Sequence, residues 1–239
     1  DRLHPEKRHR PLAAGELPAR VAWVAAAVLA TAAIVGAVRL GALEAAVICA
    51  YLALQCAYTF VLKHLVILDV LVVAGGFVLR VLAGGAAIDR PISPYLYLSM
   101  VFLALFQGFS KRRHELIVLA EAAGEHRPSL EDYTVHLLDH FIMIAASATI
   151  VTYSLYAITT PDRPPGVSAN MLLATVPFVL YAVFRYLYLI HVRDQGGTPE
   201  EMLLSDRPLL LSVVGWVVSL LCILYVLPPI VARFPTVVP

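Results

Sequence analysis

Charge is scarce in this chain. Asp, Glu, Lys and Arg make up 15% of its 239 residues, against 60% hydrophobic residues and a mean hydropathy of +0.79. Soluble domains carry nearer a quarter charged residues, so an ordinary soluble domain is excluded. Cysteine is scarce too. Cys49, Cys56 and Cys222 all fall within apolar runs and show neither metal-ligand nor redox spacing, so we expect buried free thiols. Internal repeats and low-complexity tracts are lacking, which excludes solenoid and linker architectures. A net charge of +1 gives no reason to expect nucleic acid as a partner.

Long apolar runs are what the chain does have. A run of about 20 apolar residues crosses the hydrocarbon core as a helix, because lipid cannot satisfy open backbone groups. Seven such spans are read, at 20–39, 42–60, 66–86, 95–110, 135–158, 170–191 and 209–230. The expected fold is therefore an all-α, polytopic transmembrane bundle forming a single domain over residues 1–239. Gly75, Gly76, Gly84 and Gly85 put small residues in the third span, where they would let helices approach closely. The fourth span is short, and the polar stretch 111–134 behind it is long enough for a helix lying at the interface. No secretory signal pattern opens the chain, and it starts in a charged segment rather than at Met, so we expect the true N-terminus upstream.

Basic residues set the orientation. With residues 1–20 inside, the inner segments hold Arg2, Lys7, Arg8, Arg10, Arg20, Lys63, Lys111, Arg112, Arg113, Arg127, Arg193 and Arg207. The outer ones hold Arg39, Arg90, Arg163 and Arg233. That imbalance follows the positive-inside rule and predicts a multi-pass membrane protein with residues 1–20 on the cytoplasmic side. All eight histidines lie on or beside the same side, so the working face is expected at the cytoplasm.

Three clusters carry candidate chemistry, with further residues in support. Residues 1–15 interleave acids, bases and prolines: Asp1, Arg2, His4, Pro5, Lys7, Arg10 and Pro11 among them. Read plainly, such a run is a basic anchor touching anionic lipid head groups, although an anchor needs neither the acids nor the prolines. Lys63 follows the second span. Asp69 and Arg80 lie inside the third, where an ionisable group is expensive and is a functional candidate by default. Being eleven residues apart they share a face, yet at roughly 16 Å along the axis they cannot pair directly. Pairing of each with a neighbouring helix is the structural alternative. The fourth span ends in Ser110-Lys111-Arg112-Arg113-His114-Glu115-Leu116. Beyond it, His136 and His140 have the i, i+4 spacing of a metal pair but no evident third ligand, so hydrogen-bonded helix-end histidines are favoured. Thr198 and Ser205 are candidate helix caps, and Arg185 could meet phosphate or snorkel.

Three of these runs carry a resemblance. The pattern D-R-x-H-P-x-K-R-x-R-P-x-A-x-G at residues 1–15 resembles the end of the first aspartate-rich motif, N-D-x-x-D-x-x-x-D, of the UbiA superfamily of intramembrane prenyltransferases. The run from Gly76 to Ala87, G-F-x-x-R-x-x-A-G-G-x-A, is similar to the fifth helix of that superfamily. At the position of its second aspartate-rich motif this chain instead reads K-R-x-x-E-L, which resembles the branch that uses phosphoribosyl pyrophosphate. The resemblance implies that the seven spans are the third to ninth helices of a UbiA-type bundle, with two helices upstream.

The resemblance also implies an activity: Mg²⁺-dependent transfer of 5-phosphoribose from phosphoribosyl pyrophosphate to decaprenyl (polyprenyl) phosphate, releasing pyrophosphate, for cell-wall arabinan precursors. Asp1 would be the motif's last aspartate and a metal ligand. Lys7, Arg10, Lys63, Arg80, Lys111, Arg112 and Arg185 would bind phosphates, and Asp69 and Glu115 would contact ribose or orient a lysine. Partners would be the two substrates and the membrane, with room for a homo-oligomer. Two other readings stand beside this one. An aromatic prenyltransferase of the same superfamily would be expected to keep the second aspartate-rich motif. A transporter or lipid-binding protein without chemistry would be expected to show inverted repeats.

Overall fold

A computed structural model of the chain describes residues 11–12, 14–88, 92–121 (backbone alone for 119–121), 133–159, 167–193 and 198–229. Every regular element among these residues is helical. Two long helices come first, α1 (Ala19–Leu40) and α2 (Ala42–Phe60), and a short 3₁₀ turn (Leu62–His64) leads into α3 (Leu68–Ala87). They are followed by α4 (Pro94–Glu121), α5 (Val135–Thr159), the short α6 (Ala169–Leu173), α7 (Val176–Val192), α8 (Pro199–Ser205) and α9 (Arg207–Leu221). Successive long helices pack side by side in chain order from α1 to α5, then α5 against α7 and α7 against α9.

Six helical stretches are long and apolar enough to cross a membrane, so the chain is a multi-pass membrane protein: Ala19–Leu40, Ala42–Phe60, Leu68–Ala87, Val135–Thr159, Ala169–Val192 and Arg207–Pro229. The fourth expected span, 95–110, is not among them. It forms the first part of α4, whose 28 residues rise about 42 Å at 1.5 Å each, well beyond the ~30 Å of hydrocarbon. Residues 111–121 therefore continue α4 instead of starting a separate interfacial helix.

The sixth span is broken between α6 and α7. Pro177 has no N–H to give, and the Thr175 hydroxyl donates to the carbonyl of Leu172 at 2.6 Å, satisfying an acceptor at the break. The last span ends in a π-helical turn, Cys222–Val226, just ahead of Pro228 and Pro229. Unpaired carbonyls upstream of such prolines are relieved by widening the turn.

Burial is uneven. One apolar cluster joins α3, α4, α5, α7, α8 and α9 through Val70, Phe106, Leu138, Ile142, Leu189, Ile190, Met202 and Leu209. A smaller one gathers Ala157, Leu172 and Ile223 at the far end. Helix α1 buries only Ala37 and α2 buries nothing, so both present apolar sides outward, as lipid-facing helices do. The three cysteines face outward as well, which corrects the expectation of buried thiols.

Among the third-span glycines, Gly75, Gly76 and Gly84 are not the ones that bring helices together. A methyl on Gly75 or Gly76 would meet its nearest neighbour at 3.6 Å, an ordinary contact, and one on Gly84 would meet nothing. On Gly108 it would lie 2.5 Å from Val70, and on Gly215 2.7 Å from Phe178. Backbone approach of α4 to α3 and of α9 to α7 depends on these two.

Candidate functional site

The antiparallel packing brings six helix ends together: the C-termini of α2, α4 and α7 and the N-termini of α3, α5 and α9. At this inner end lie all the ion pairs of the described residues.

Their hub is Asp69, in the first turn of α3 and fully buried. The Arg112 Nε donates to its Oδ2 at 2.6 Å, and the Tyr133 hydroxyl donates to its Oδ1 at 3.1 Å. Arg112 is buried too, and through Nη1 it also pairs with Glu115 one turn along α4. Burial by itself would lower the pKa of this guanidinium, but Glu115 and Asp69 outweigh it and leave the value raised, so Arg112 stays cationic. Burial, together with the Asp69 carboxylate, pushes the Tyr133 phenol up to about 12 despite the hydrogen bond it accepts from the Ile67 amide. The phenol therefore keeps the proton it donates.

Tyr133 holds a strained turn as well. Its oxygen accepts from the Ile67 N–H at 2.7 Å. Ile67 has φ 68° and ψ −47°, and the Leu68 N–H reaches back to the carbonyl of Val66 at 2.7 Å. This is the strained form of γ-turn, here at a β-branched residue, and such conformations cost about 1–3 kcal/mol. The chain thus turns sharply between the 3₁₀ segment carrying Lys63 and the helix carrying Asp69.

A second group lies beside the first. Buried Arg113 donates from Nε to Asp139 Oδ1 at 2.6 Å and from Nη1 to the carbonyl of Ile190 at 2.9 Å, tying α4 to α5 and α7. His191 Nε2 meets the same Asp139 oxygen at 3.2 Å. Across the end of the bundle, Arg185 makes a two-pronged pair with Asp206 at 3.0 and 2.7 Å and stacks over Tyr188. Asp206 also accepts from the Leu209 N–H at 2.9 Å, so it caps α9. The Arg185 hydrogen bonds, helped by that backbone N–H, hold the Asp206 carboxyl below the usual carboxylate range. Ser205 therefore does not cap this helix. Thr198 stands at the start of α8, but its buried hydroxyl has no hydrogen-bond partner among the described residues.

The expected site residues divide by position. Asp69, Arg112 and Glu115 come together in one bonded group. Lys63, half-buried in the 3₁₀ turn, and exposed Lys111 have no ion-pair partner among the described residues and can meet a ligand's phosphates. Arg185 lies at the same end with its guanidinium held by Asp206. Arg80 is not brought together with the hub: it is exposed, bonds the Tyr51 hydroxyl of α2 and lies over the rings of Tyr51 and Phe77. Asp69 and Arg80 thus turn to opposite neighbours, α4 and α2, despite their shared periodicity. Asp1, Lys7 and Arg10 lie outside the described residues.

Sequence reasoning missed Arg113, Tyr133 and Ile67. Arg113 belongs to the same basic triple as Lys111 and Arg112, and a position 100° around the helix from Arg112 could have marked it for α5 and α7. Tyr133, just ahead of a span and among acids, was a visible signal. Ile67 gave none, since a β-branched residue argues against positive φ.

No cluster of three or more potential ligands suits a metal ion among the described residues. The nearest acids, Asp69 and Glu115, share the Arg112 guanidinium instead. His140 Nδ1 is bonded to the His136 carbonyl at 2.7 Å, a local helix contact.

A bundle of membrane-crossing helices with its buried ion pairs gathered at one end defines an intramembrane protein with a polar working face. Comparison with known proteins narrows this: the model of the UbiA prenyltransferase family matches residues 1–206, and the chain belongs to that family. It is 38% identical over 226 residues to the decaprenyl-phosphate phosphoribosyltransferase of Mycolicibacterium smegmatis, covering 91% of this chain and 70% of that protein. To the decaprenyl-phosphate phosphoribosyltransferase of Corynebacterium glutamicum it is 35% identical over 232 residues, 95% of this chain and 69% of that protein. A nodulation protein, NoeC, of Azorhizobium caulinodans is 26% identical over 235 residues, 94% of this chain and 74% of that protein.

Proposed function

We propose that this chain transfers 5-phosphoribose from phosphoribosyl pyrophosphate to a polyprenyl phosphate, decaprenyl phosphate being the acceptor its relatives' names point to. The observation that carries the reading is the 38% identity to a decaprenyl-phosphate phosphoribosyltransferase, maintained over 91% of this chain. The inner end supports it, because a reaction with phosphates on donor and acceptor needs cations at one mouth. The excess of basic residues on the inner segments supports a working face at the cytoplasmic side of the bacterial inner membrane.

In this reading an acceptor phosphate oxygen attacks the anomeric carbon as the bond to pyrophosphate breaks, through an oxocarbenium-like transition state. The acceptor is already anionic, so no strong general base is required. Lys63 and Lys111, with Lys7 and Arg10, neutralise phosphate oxygens. Glu115, whose side chain is 15% exposed, is the hub carboxylate able to reach a ribose hydroxyl. Asp69, with no exposure, orients Arg112 from below. The described residues do not fit a magnesium cage, so in this reading the Mg²⁺ requirement rests on Asp1.

The test is to supply Mg²⁺, labelled phosphoribosyl pyrophosphate and decaprenyl phosphate to the protein in lipid, then extract the lipid phase. Label in the lipid, lost on chelation, is the expected result. An unlabelled lipid phase with activity on a prenyl diphosphate and an aromatic acid would overturn it.

A further inference from the structure

The turn behind Lys63 and the start of α3 meet at a single phenol, and α4 joins them through Asp69. Tyr133, 3% exposed, accepts from the Ile67 amide and donates to Asp69. The Ile67 bond lies on the turn that directly follows the 3₁₀ segment carrying Lys63, and the Asp69 bond lies on the carboxylate that holds Arg112 and, through it, Glu115. The turn is in a conformation that an isoleucine does not adopt unaided, so something must hold it. The γ-turn's own backbone bond runs from the Leu68 N–H to the Val66 carbonyl, and the Ile67 N–H donates to Tyr133. A phenol suits both tasks because its oxygen accepts along one direction while its proton is donated along another.

We propose that Tyr133 is a positioning residue: it latches the strained turn at Ile67 and so fixes Lys63 against the Asp69–Arg112–Glu115 group. The inference rests on the phosphoribosyl-transfer reading for its kinetic consequence, but not for its structural one. Tyr133 need not touch substrate. Without the latch the turn relaxes toward negative φ, the Leu62–His64 segment shifts, and the donor loses a preset cation.

The test compares the parent, Tyr133→Phe, and Tyr133→Phe combined with Ile67→Gly, all in lipid. Phenylalanine keeps the ring in its packing and removes only the oxygen. Hydrogen exchange of residues 65–68 is expected to speed up in Tyr133→Phe while exchange in the middle of α5 stays at the parent rate. The donor KM is expected to rise about tenfold, the scale of one lost hydrogen bond, with kcat held within about threefold. Glycine adopts positive φ freely, so adding Ile67→Gly is expected to return KM to within about threefold of the parent. A merely structural tyrosine would show no such rescue, because glycine would loosen the segment further. Unchanged exchange in Tyr133→Phe, or a deeper defect in the double variant, overturns the proposal. A parent protein that does not turn over the donor would sink the transfer reading instead, and the exchange comparison would still decide the latch.

Discussion

The two ends of this bundle hold their helices together by different means. The inner end uses charge: Asp69, Arg112 and Glu115 in one group, Arg113, Asp139 and His191 in another, and Arg185 with Asp206. The outer half has no ion pair among the described residues: beyond the Arg80 bond to Tyr51 it uses neutral groups. There Trp216 Nε1 donates to the Tyr153 hydroxyl at 2.6 Å, and that hydroxyl is bonded to Thr175 at 2.7 Å, beside the break between α6 and α7. A neutral chain of donors suffices to satisfy a kink in a low-dielectric surrounding. Buried ion pairs are weak devices for stability alone, since desolvation cancels much of their attraction. Their concentration at one end is explained better by a task than by folding.

That contrast can be broken in graded steps. The largest effect is expected from Asp69→Leu, which leaves the buried Arg112 with Glu115 as its remaining carboxylate. Removing one partner of a buried pair costs about 3–5 kcal/mol, so a steep drop in thermal stability together with lost transfer activity is expected. A variant that is inactive but fully stable would show that the hub is not a buried pair at all. Next come Lys63→Ala and Lys111→Ala. A charge-assisted hydrogen bond contributes about 1.5–3 kcal/mol, so donor KM should rise roughly ten- to a hundredfold at unchanged thermal stability. Equal donor affinity in either variant would remove that lysine from the phosphate site. The smallest effect belongs to the outer half. Tyr153→Phe should cost about 1–3 kcal/mol of stability, the desolvation of partners left unsatisfied, and leave transfer kinetics at the parent values. Altered kinetics there would erase the distinction between the two ends.

Much of the fold was legible before any coordinates. Six of the seven expected spans match helices or runs of helices within two residues at both ends, because twenty apolar residues in a row have one solution in lipid. The fourth span was harder to read. Its helix runs past the apolar stretch, and periodicity cannot say whether a polar continuation stays on axis or turns along the interface. The tight packing glycines were misplaced for a related reason: the four in the third span looked like a contact face, whereas Gly108 and Gly215 are single residues whose neighbours belong to other helices.

Asp69, Arg112 and Glu115 were marked as chemistry by type and position, since ionisable groups at a membrane span need a reason. Their mutual bonds were not legible, nor was the turn of Arg80 toward Tyr51, away from the hub.

The sequence by itself thus determined that this is a membrane bundle, which end collects its cations, and which acids and bases are candidates. Those properties follow from transfer energies, which depend on residue type and run length. Only the tertiary structure decided that one guanidinium serves two carboxylates, that Tyr133 joins α3 to α5, and that Ile67 is held at positive φ. Such pairings are set by which helices lie side by side across 43 or 64 residues of chain, a distance over which no local pattern extends.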